Sequence, residues 1–436
     1  METTWLYAFL SLSLSLLALL FKFSSKGKTK LPPSPGPALP LLGHLHHIKL
    51  PLHRTYYNLS QKLGPIFSLR LGNRIMVIVT SPAIVDLHQE RPRSSNRPLN
   101  HVGKYIGYNY TSLVASPYGD HWRNLRRLTT LEVFATTRLN MFQSIRHDEV
   151  RLMLKRLYRN SYQDFARVEL RSRFMELTFN NIMRMVDGKR YFGEDVENEE
   201  AKLFRHLIEE VVKLIGASNP VDFFPVYRWI DYKKYEKNWA GLSTRMDSFM
   251  QGLIDEHRRN KGRNTMIDHL ISLQESEPEY YTDHIIKGII IVMLIAGTNT
   301  SVSTVEWAMA VLLNHPQKLD KARAEIDNLV GDDRLVNELD LSNLPYLHNI
   351  IMETFRLFPA SPLLVPHEAS VNCKLGGYDI PKGTIVQVNA WAIHRDPTVW
   401  DDSISFNPSV LKKQKMLDHR SCYPLGWEGG LARAMA

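Results

Sequence analysis

Three small constellations in the chain could do chemistry. Glu353 and Arg356 stand three residues apart, so on a helix the carboxylate and the guanidinium share one face and can pair. Trp122 and Arg126 stand four apart, a spacing that lets an indole ring carry a cation. Thr300 places a hydroxyl inside an apolar run, next to Asn299 and one turn from Gly297. Each also has an ordinary explanation. A solvated Glu–Arg pair contributes little, a surface cation–π contact is commonplace, and a helical threonine usually bonds back to its own backbone. Two cysteines, Cys373 and Cys422, make neither a disulfide scaffold nor a thiolate zinc site, and they fit a reducing compartment. His44, His46 and His47 cluster in a stretch bearing Pro and Gly, which reads more readily as an exposed loop than as a metal site. No metal ligand set is assigned.

The elements that must position these residues are mostly helices. Apolar residues recur at helical spacing over 119–134, 141–160, 173–187, 200–217, 233–262 and 281–314. Residues 67–71 and 75–80 read as two strands joined at Gly72-Asn73, and short strand signals return over 371–388 between the turns Gly376-Gly377 and Pro381-Lys382-Gly383. The expected fold class is mainly α with a small β portion. Residues 288–305 form an uncharged run of 18, long enough to span a bilayer. Its second half, from Gly297 through Thr298, Asn299, Thr300 and Ser301 to Thr304, is polar, and lipid penalises such groups. A buried core helix is the expectation.

Composition narrows the partners. Of the 436 residues, 44% are hydrophobic and 23% charged, as in folded globular proteins. A net charge of +9 points to an acidic surface, either anionic lipid or an acidic redox protein. Nucleic acid is not expected, because the basic clusters look like solvated helix ends without interleaved aromatics. Residues 3–21 carry no charge and are followed by Lys22, Lys26, Lys28 and Lys30, so residues 1–24 are expected to anchor the chain with its bulk in the cytosol. A cleaved signal peptide is the alternative, disfavoured by the length of the run and the lack of a small-residue cleavage site. Residues 25–40, basic and then rich in proline (Pro32, Pro33, Pro35, Pro37), read either as a stiff spacer or as a disordered linker. Residues 41–436 form the body.

The order of the motifs says more than any one of them. The anchor and proline hinge are followed by His121-Trp122-Arg123-Asn124-Leu125-Arg126-Arg127, then Ala296-Gly297-Thr298-Asn299-Thr300-Ser301, then Glu353-Thr354-Phe355-Arg356-Leu357-Phe358-Pro359. Pro366-His367-Glu368, the run Gly377 to Thr384, and Ala390 to Pro397 complete the series. From the anchor to about residue 408 this series resembles the plant microsomal cytochromes P-450. Asn180 to Met185 and Thr265 to Leu270 are similar to the isoflavone and flavonoid hydroxylases. The resemblance implies a cytochrome P-450 fold, a heme cofactor, and electrons from NADPH through a separate cytochrome P-450 reductase. It also implies an endoplasmic reticulum membrane anchor and a small aromatic substrate. Trp122, Arg126 and His367 would meet the heme propionates, and Glu353 with Arg356 would form a buried pair behind the ring. Gly297 would let substrate and dioxygen approach, and Thr300 would assist proton delivery. The family usually has an acid where Asn299 stands here, and an amide cannot give up and regain a proton near neutral pH.

The resemblance breaks in the tail. The family completes the Glu–Arg pair with an arginine of a Phe-x-Pro-Glu-Arg-Phe motif. Here the matching residues run Phe406-Asn407-Pro408-Ser409-Val410-Leu411, which is expected to leave the pair one member short. The family's cysteine ligand stands in Phe-x-x-Gly-x-Arg-x-Cys-x-Gly, five residues before a Leu-Ala pair. Five residues before Leu431-Ala432 this chain has Gly426, and Cys422 falls too early. Cys373 matches a strand position with no ligand role. The expectation is a fold incomplete at its C-terminus, with the cysteine loop degenerate and truncated. Two functions follow: an oxygen-dependent hydroxylase, or a non-catalytic membrane-anchored remnant unable to ligate heme iron.

Overall fold

A computed structural model describes residues 5, 7, 10–15, 30–82, 96–133, 135–161, 167–193, 196, 199–216, 220–223, 232–332 and 334–409. The chain divides into two compact units, one of residues 1–96, 220–230 and 365–389, the other of residues 97–219, 231–364 and 390–436.

The first unit is built on helix α1 (Leu52–Leu63) and strands β1 (Ile66–Leu71), β2 (Arg74–Val79), β3 (His367–Glu368), β4 (Cys373–Leu375), β5 (Tyr378–Ile380) and β6 (Ile385–Val388). The expected hairpin forms: β1 and β2 pair antiparallel from Ile66↔Val79 to Leu71↔Arg74. Distant in sequence, β6 runs parallel to β2, with Met76 opposite Ile385, and β3 closes the sheet order β1-β2-β6-β3. All four residues of β6 are buried, as suits a strand inside a sheet. β4 and β5 form a separate hairpin across Gly376 and Gly377.

The proline-rich segment is docked on this unit along residues 30–44. Ser68 donates its N–H to Pro33 O at 2.7 Å and its hydroxyl to Pro32 O at 2.8 Å. Lys30 and Asp379 exchange two hydrogen bonds, Asp379 N–H to Lys30 O at 2.9 Å and Lys30 N–H to the Asp379 carboxylate at 3.0 Å. Gly43 has φ +64°, and a Cβ there would stand 2.0 Å from Arg70 O, so only glycine allows this approach. Beside it, buried His44 accepts Arg70 N–H at Nδ1 (2.8 Å) and donates from Nε2 to Gly36 O (3.0 Å). Both ring nitrogens serve the backbone, which makes His44 a clasp.

The second unit is helical: α2 (His101–Tyr105), α3 (Asp120–Leu128), α4 (Thr136–Met141), α5 (Gln143–Ser161), α6 (Leu170–Val186), α7 (Glu199–Gly216), α8 (Tyr232–Arg259), α9 (Met266–Ser276), α10 (Asp283–Gly297), α11 (Asn299–Leu313), α12 (Pro316–Val330), α13 (Pro345–Leu357) and α14 (Ala390–Ile393). The helical periodicity located α3 and α5 to α8 to within a few residues. Helices α1, α9 and α12 were not anticipated, although local signals for two of them are present. Thr265 and Asp268 form a complete capping box at the start of α9, and α12 opens on Pro316 and stops at Gly331. The main core joins Phe204 and Leu207 of α7, Trp239 and Met250 of α8, and Ile290 and Leu294 of α10.

Residues 283–313 form the single described stretch long and apolar enough to cross a membrane, and 61% of its apolar window is buried inside the fold. Ile286, Ile289, Ile290, Ile291, Met293 and Leu294 pack in the core, in keeping with a buried helix. The terminal anchor and the Cys422 tail lie almost wholly outside the described residues; of residues 1–24, those at 5, 7 and 10–15 are described, and they are helical.

Candidate functional site

Gly297 to Ser301 sit where the long helix breaks. Thr298, between α10 and α11, has φ −88° and ψ −73°. Four hydroxyls around the break bond back by one turn: Thr298 to Leu294 O (2.7 Å), Thr300 to Ala296 O, Ser301 to Gly297 O (2.9 Å) and Thr304 to Thr300 O (2.9 Å). Such bonds compete with the helical ladder and bend it. Thr298 is buried, Asn299 half-buried, and Thr300 and Ser301 exposed. Thr300 therefore commits its proton to the helix and keeps its oxygen lone pairs for an outside donor. Gly297 has a packing role as well, since a Cβ there would meet Ile182 Cδ1 of α6 at 3.0 Å.

Trp122 and Arg126 share the half-buried face of α3, the guanidinium carbon lying 5.8 Å from the indole centroid. The opposite face is fixed by buried Leu125 and Leu128. His367 belongs to the other unit, on β3, opposite Val386. Sequence reasoning did not single out Arg97, a half-buried arginine whose pKa is lowered to about 10 by desolvation.

The Glu353–Arg356 pair is complete, contrary to expectation. Both side chains are buried. Arg356 Nε and Nη2 grip the two Glu353 oxygens at 2.7 Å each. The remaining Nη donors reach the carbonyls of His394 (2.8 Å), Ser403 (2.7 Å) and Ser405 (3.1 Å). All five guanidinium protons are thus used. Glu353 also accepts the backbone N–H of Asn407 at 2.8 Å. Main-chain groups supply these further partners, and a carbonyl carries no sequence signature. The Trp400 ring stacks 4.9 Å from the guanidinium. Burial, with Arg356 and Arg395 nearby, pushes the His394 pKa down to about 3.

A cytochrome P450 family model matches residues 32–425. The chain belongs to the cytochrome P450 family. It is 59% identical over 409 residues to cytochrome P450 81Q32 of Catharanthus roseus, covering 93% of this chain and 82% of that protein. It is 55% identical over 392 residues to the (+)-piperitol/(+)-sesamin synthase CYP81Q2 of Sesamum radiatum, covering 89% and 78%. It is 49% identical over 402 residues to an isoflavone 2'-hydroxylase of Glycyrrhiza echinata, covering 90% and 80%. A zebra fish cytochrome P450 solved with progesterone shares the fold, with a TM-score of 0.71 at 25% identity over 89% of this chain and 90% of that one.

Membership in this family of monooxygenases implies a heme cofactor. Heme presents two propionates and an iron that requires an axial ligand. The Trp122–Arg126 face of this cytochrome P450 has the donor chemistry for an anionic propionate. For the iron, the donor set among the described residues does not fit. Among the described residues the sole thiol is Cys373, which sits in the β4–β5 hairpin opposite Ile380. Cys422 lies outside the described residues.

Proposed function

We propose that this chain is the body of an oxygen-dependent hydroxylase of small aromatic plant metabolites of the isoflavone or flavonoid kind. Electrons would reach it from NADPH through a separate reductase. The observation that carries the reading is the polar break at Thr298 in an otherwise apolar, largely buried helix. Relatives named isoflavone 2'-hydroxylase and isoflavone 3'-hydroxylase, at 49% and 48% identity, support the substrate class. Residues 41–436 would act as one monooxygenase body on a 1–24 anchor in the endoplasmic reticulum membrane. In support of the anchor, Trp5, Tyr7, Leu10, Leu12 and Leu14 leave large apolar side chains exposed, as a lipid-covered helix would.

Heme, when bound, supplies the oxygen activation; the protein's part is binding, orientation and proton handling. Trp122 and Arg126 would hold a propionate, and by the same resemblance His367 would be a propionate donor. Thr300 would accept a hydrogen bond from water at its exposed oxygen, and Asn299 would orient that water without itself exchanging a proton. Gly297 would keep the helix backbone open beside them. Glu353 and Arg356 would fix the segment 394–407 behind the ring.

A second reading, a non-catalytic membrane-anchored remnant, is favoured by the tail, where no cysteine stands in the family's ligand position. One experiment separates the two: the visible spectrum of the reduced, carbon-monoxide-bound protein, as this sequence and with the family's cysteine loop restored. The restored chain should give the red-shifted thiolate band, and Thr300→Ala in it should uncouple oxygen consumption from product. The chain as given should lack the band. A stoichiometric thiolate band that vanishes in Cys422→Ser would sink the second reading, and no band from the restored chain would sink the first.

A further inference from the structure

A second buried charge centre lies away from the polar break. His257, in the last turn of α8, has no solvent-exposed side-chain surface. Its Nε2 lies 3.0 Å from Asp187 Oδ1, and its Nδ1 lies 2.7 Å from Asp268 Oδ1. Asp187 caps the end of α6 and is itself fully buried; Asp268 is the third residue of α9. An ionised carboxylate only accepts, and a neutral imidazole donates from one nitrogen alone. A neutral ring would therefore set a lone pair against a carboxylate oxygen at one of the two contacts, inside the fold, where such a mismatch is costly.

Of the other described groups around the ring only the Thr265 hydroxyl reaches a nitrogen, and at 3.4 Å from Nδ1 it does not relieve a lone pair set 2.7 Å from Asp268 Oδ1. The Tyr191 hydroxyl faces the far oxygen of Asp187 at 2.9 Å and Glu200 of α7 at 3.1 Å. Thr265 N–H takes the other oxygen of Asp268 at 3.2 Å, and the Thr265 hydroxyl is 3.4 Å from His257 Nδ1. Lys189 and Arg263 are drawn to Glu256, at 2.6 Å and 2.8 Å. Four carboxylates (Asp187, Asp268, Glu200 and Glu256) thus share the neighbourhood with two fixed cations.

We propose that His257 is held as an imidazolium at neutral pH and acts as a positioning residue, its charge pinning the α6–α7 connection, the end of α8 and the start of α9 to one another. α8 and α9 both pack on α10, which carries the polar break, so discharging the ring loosens the layer that braces it. The bonds to Asp187 and Asp268 outweigh desolvation and raise the His257 pKa above 6.5. A raised basic pKa gives stability that is full below the unfolded value of 6.5 and is lost as pH climbs through the folded one.

Nitrogen NMR of the histidine rings in the full-length wild-type chain, with His257 assigned by its loss in His257→Gln, reads the state directly. Both His257 nitrogens should be protonated at neutral pH; one proton-free nitrogen overturns the proposal. His257→Gln should melt several degrees below wild type in mild acid, and the gap should close as pH rises into the alkaline range. A gap constant with pH means that the ring acts by packing alone. Should His257→Gln fail to fold, Asp268→Asn supplies the assignment through its shifted ring signals, and the wild-type nitrogen spectrum still decides.

Discussion

The helical unit contains two buried ionic centres, each organised around a cation but built on different principles. At Glu353–Arg356 the cation is a guanidinium, whose charge does not titrate in proteins. Its five donors are spent on one carboxylate and three main-chain carbonyls. At Asp187–His257–Asp268 the cation is an imidazole that must acquire its charge, and its two donors go to two carboxylates from different elements. The first centre binds a segment of backbone through a cation that carries its charge from the start. The second binds three elements together only while protonated. A buried charge can therefore serve as a permanent rivet or a conditional one, and the choice of cation decides which.

The largest effect should come from the permanent centre. Arg356→Ala leaves Glu353 buried without its counter-ion and frees three carbonyls, and should cost about 3–5 kcal/mol in denaturant unfolding of the solubilised protein. A loss under about 1 kcal/mol would mean that the segment 394–407 does not depend on it.

The pH profile sharpens the contrast next. His394, with a folded pKa of about 3 against 6.5, binds its proton more readily when unfolded, so it lowers stability as pH falls below 6.5. His257 acts with the opposite sign, lowering stability as pH rises above 6.5. Each slope is at most about 1.4 kcal/mol per pH unit. His394→Gln should flatten the acid limb and leave the alkaline limb; the reverse pattern would mean the two assignments are exchanged.

The smallest effect is expected from restoring the family's arginine. Val410→Arg should change stability by less than about 0.5 kcal/mol, because Glu353, the acceptor such an arginine would seek, already holds two Arg356 donors and the Asn407 N–H. A gain above about 1 kcal/mol would show that the main-chain substitutes are inferior.

The pattern of success in the sequence reading has a physical basis. Helices α5 to α8 were legible because one face of each is apolar at regular spacing. The pairing of Glu353 with Arg356 was legible because spacing on a helix fixes it. Its completion was not, since the partners are the carbonyls of His394, Ser403 and Ser405, which any residue would supply. The β2–β6 pairing was equally hidden, because strands some three hundred residues apart in sequence leave no local trace. His257 read as part of a solvated basic helix end. The charges around it, Arg258, Arg259 and Lys261, are exposed or nearly so, and nothing in the local pattern marks the one ring that turns inward.

The docking of residues 30–44 has a practical side. Those residues belong to the sheet unit by hydrogen bonding, through Ser68 to Pro32 and Pro33, Asp379 to Lys30, and His44 to Gly36 and Arg70. Any version shortened at its N-terminus must therefore be cut ahead of Lys30. A cut set a few residues later, among the prolines, would spare every helix from α1 onward and still strip β1 of its outer clasp, yielding a shorter protein whose sheet unravels first.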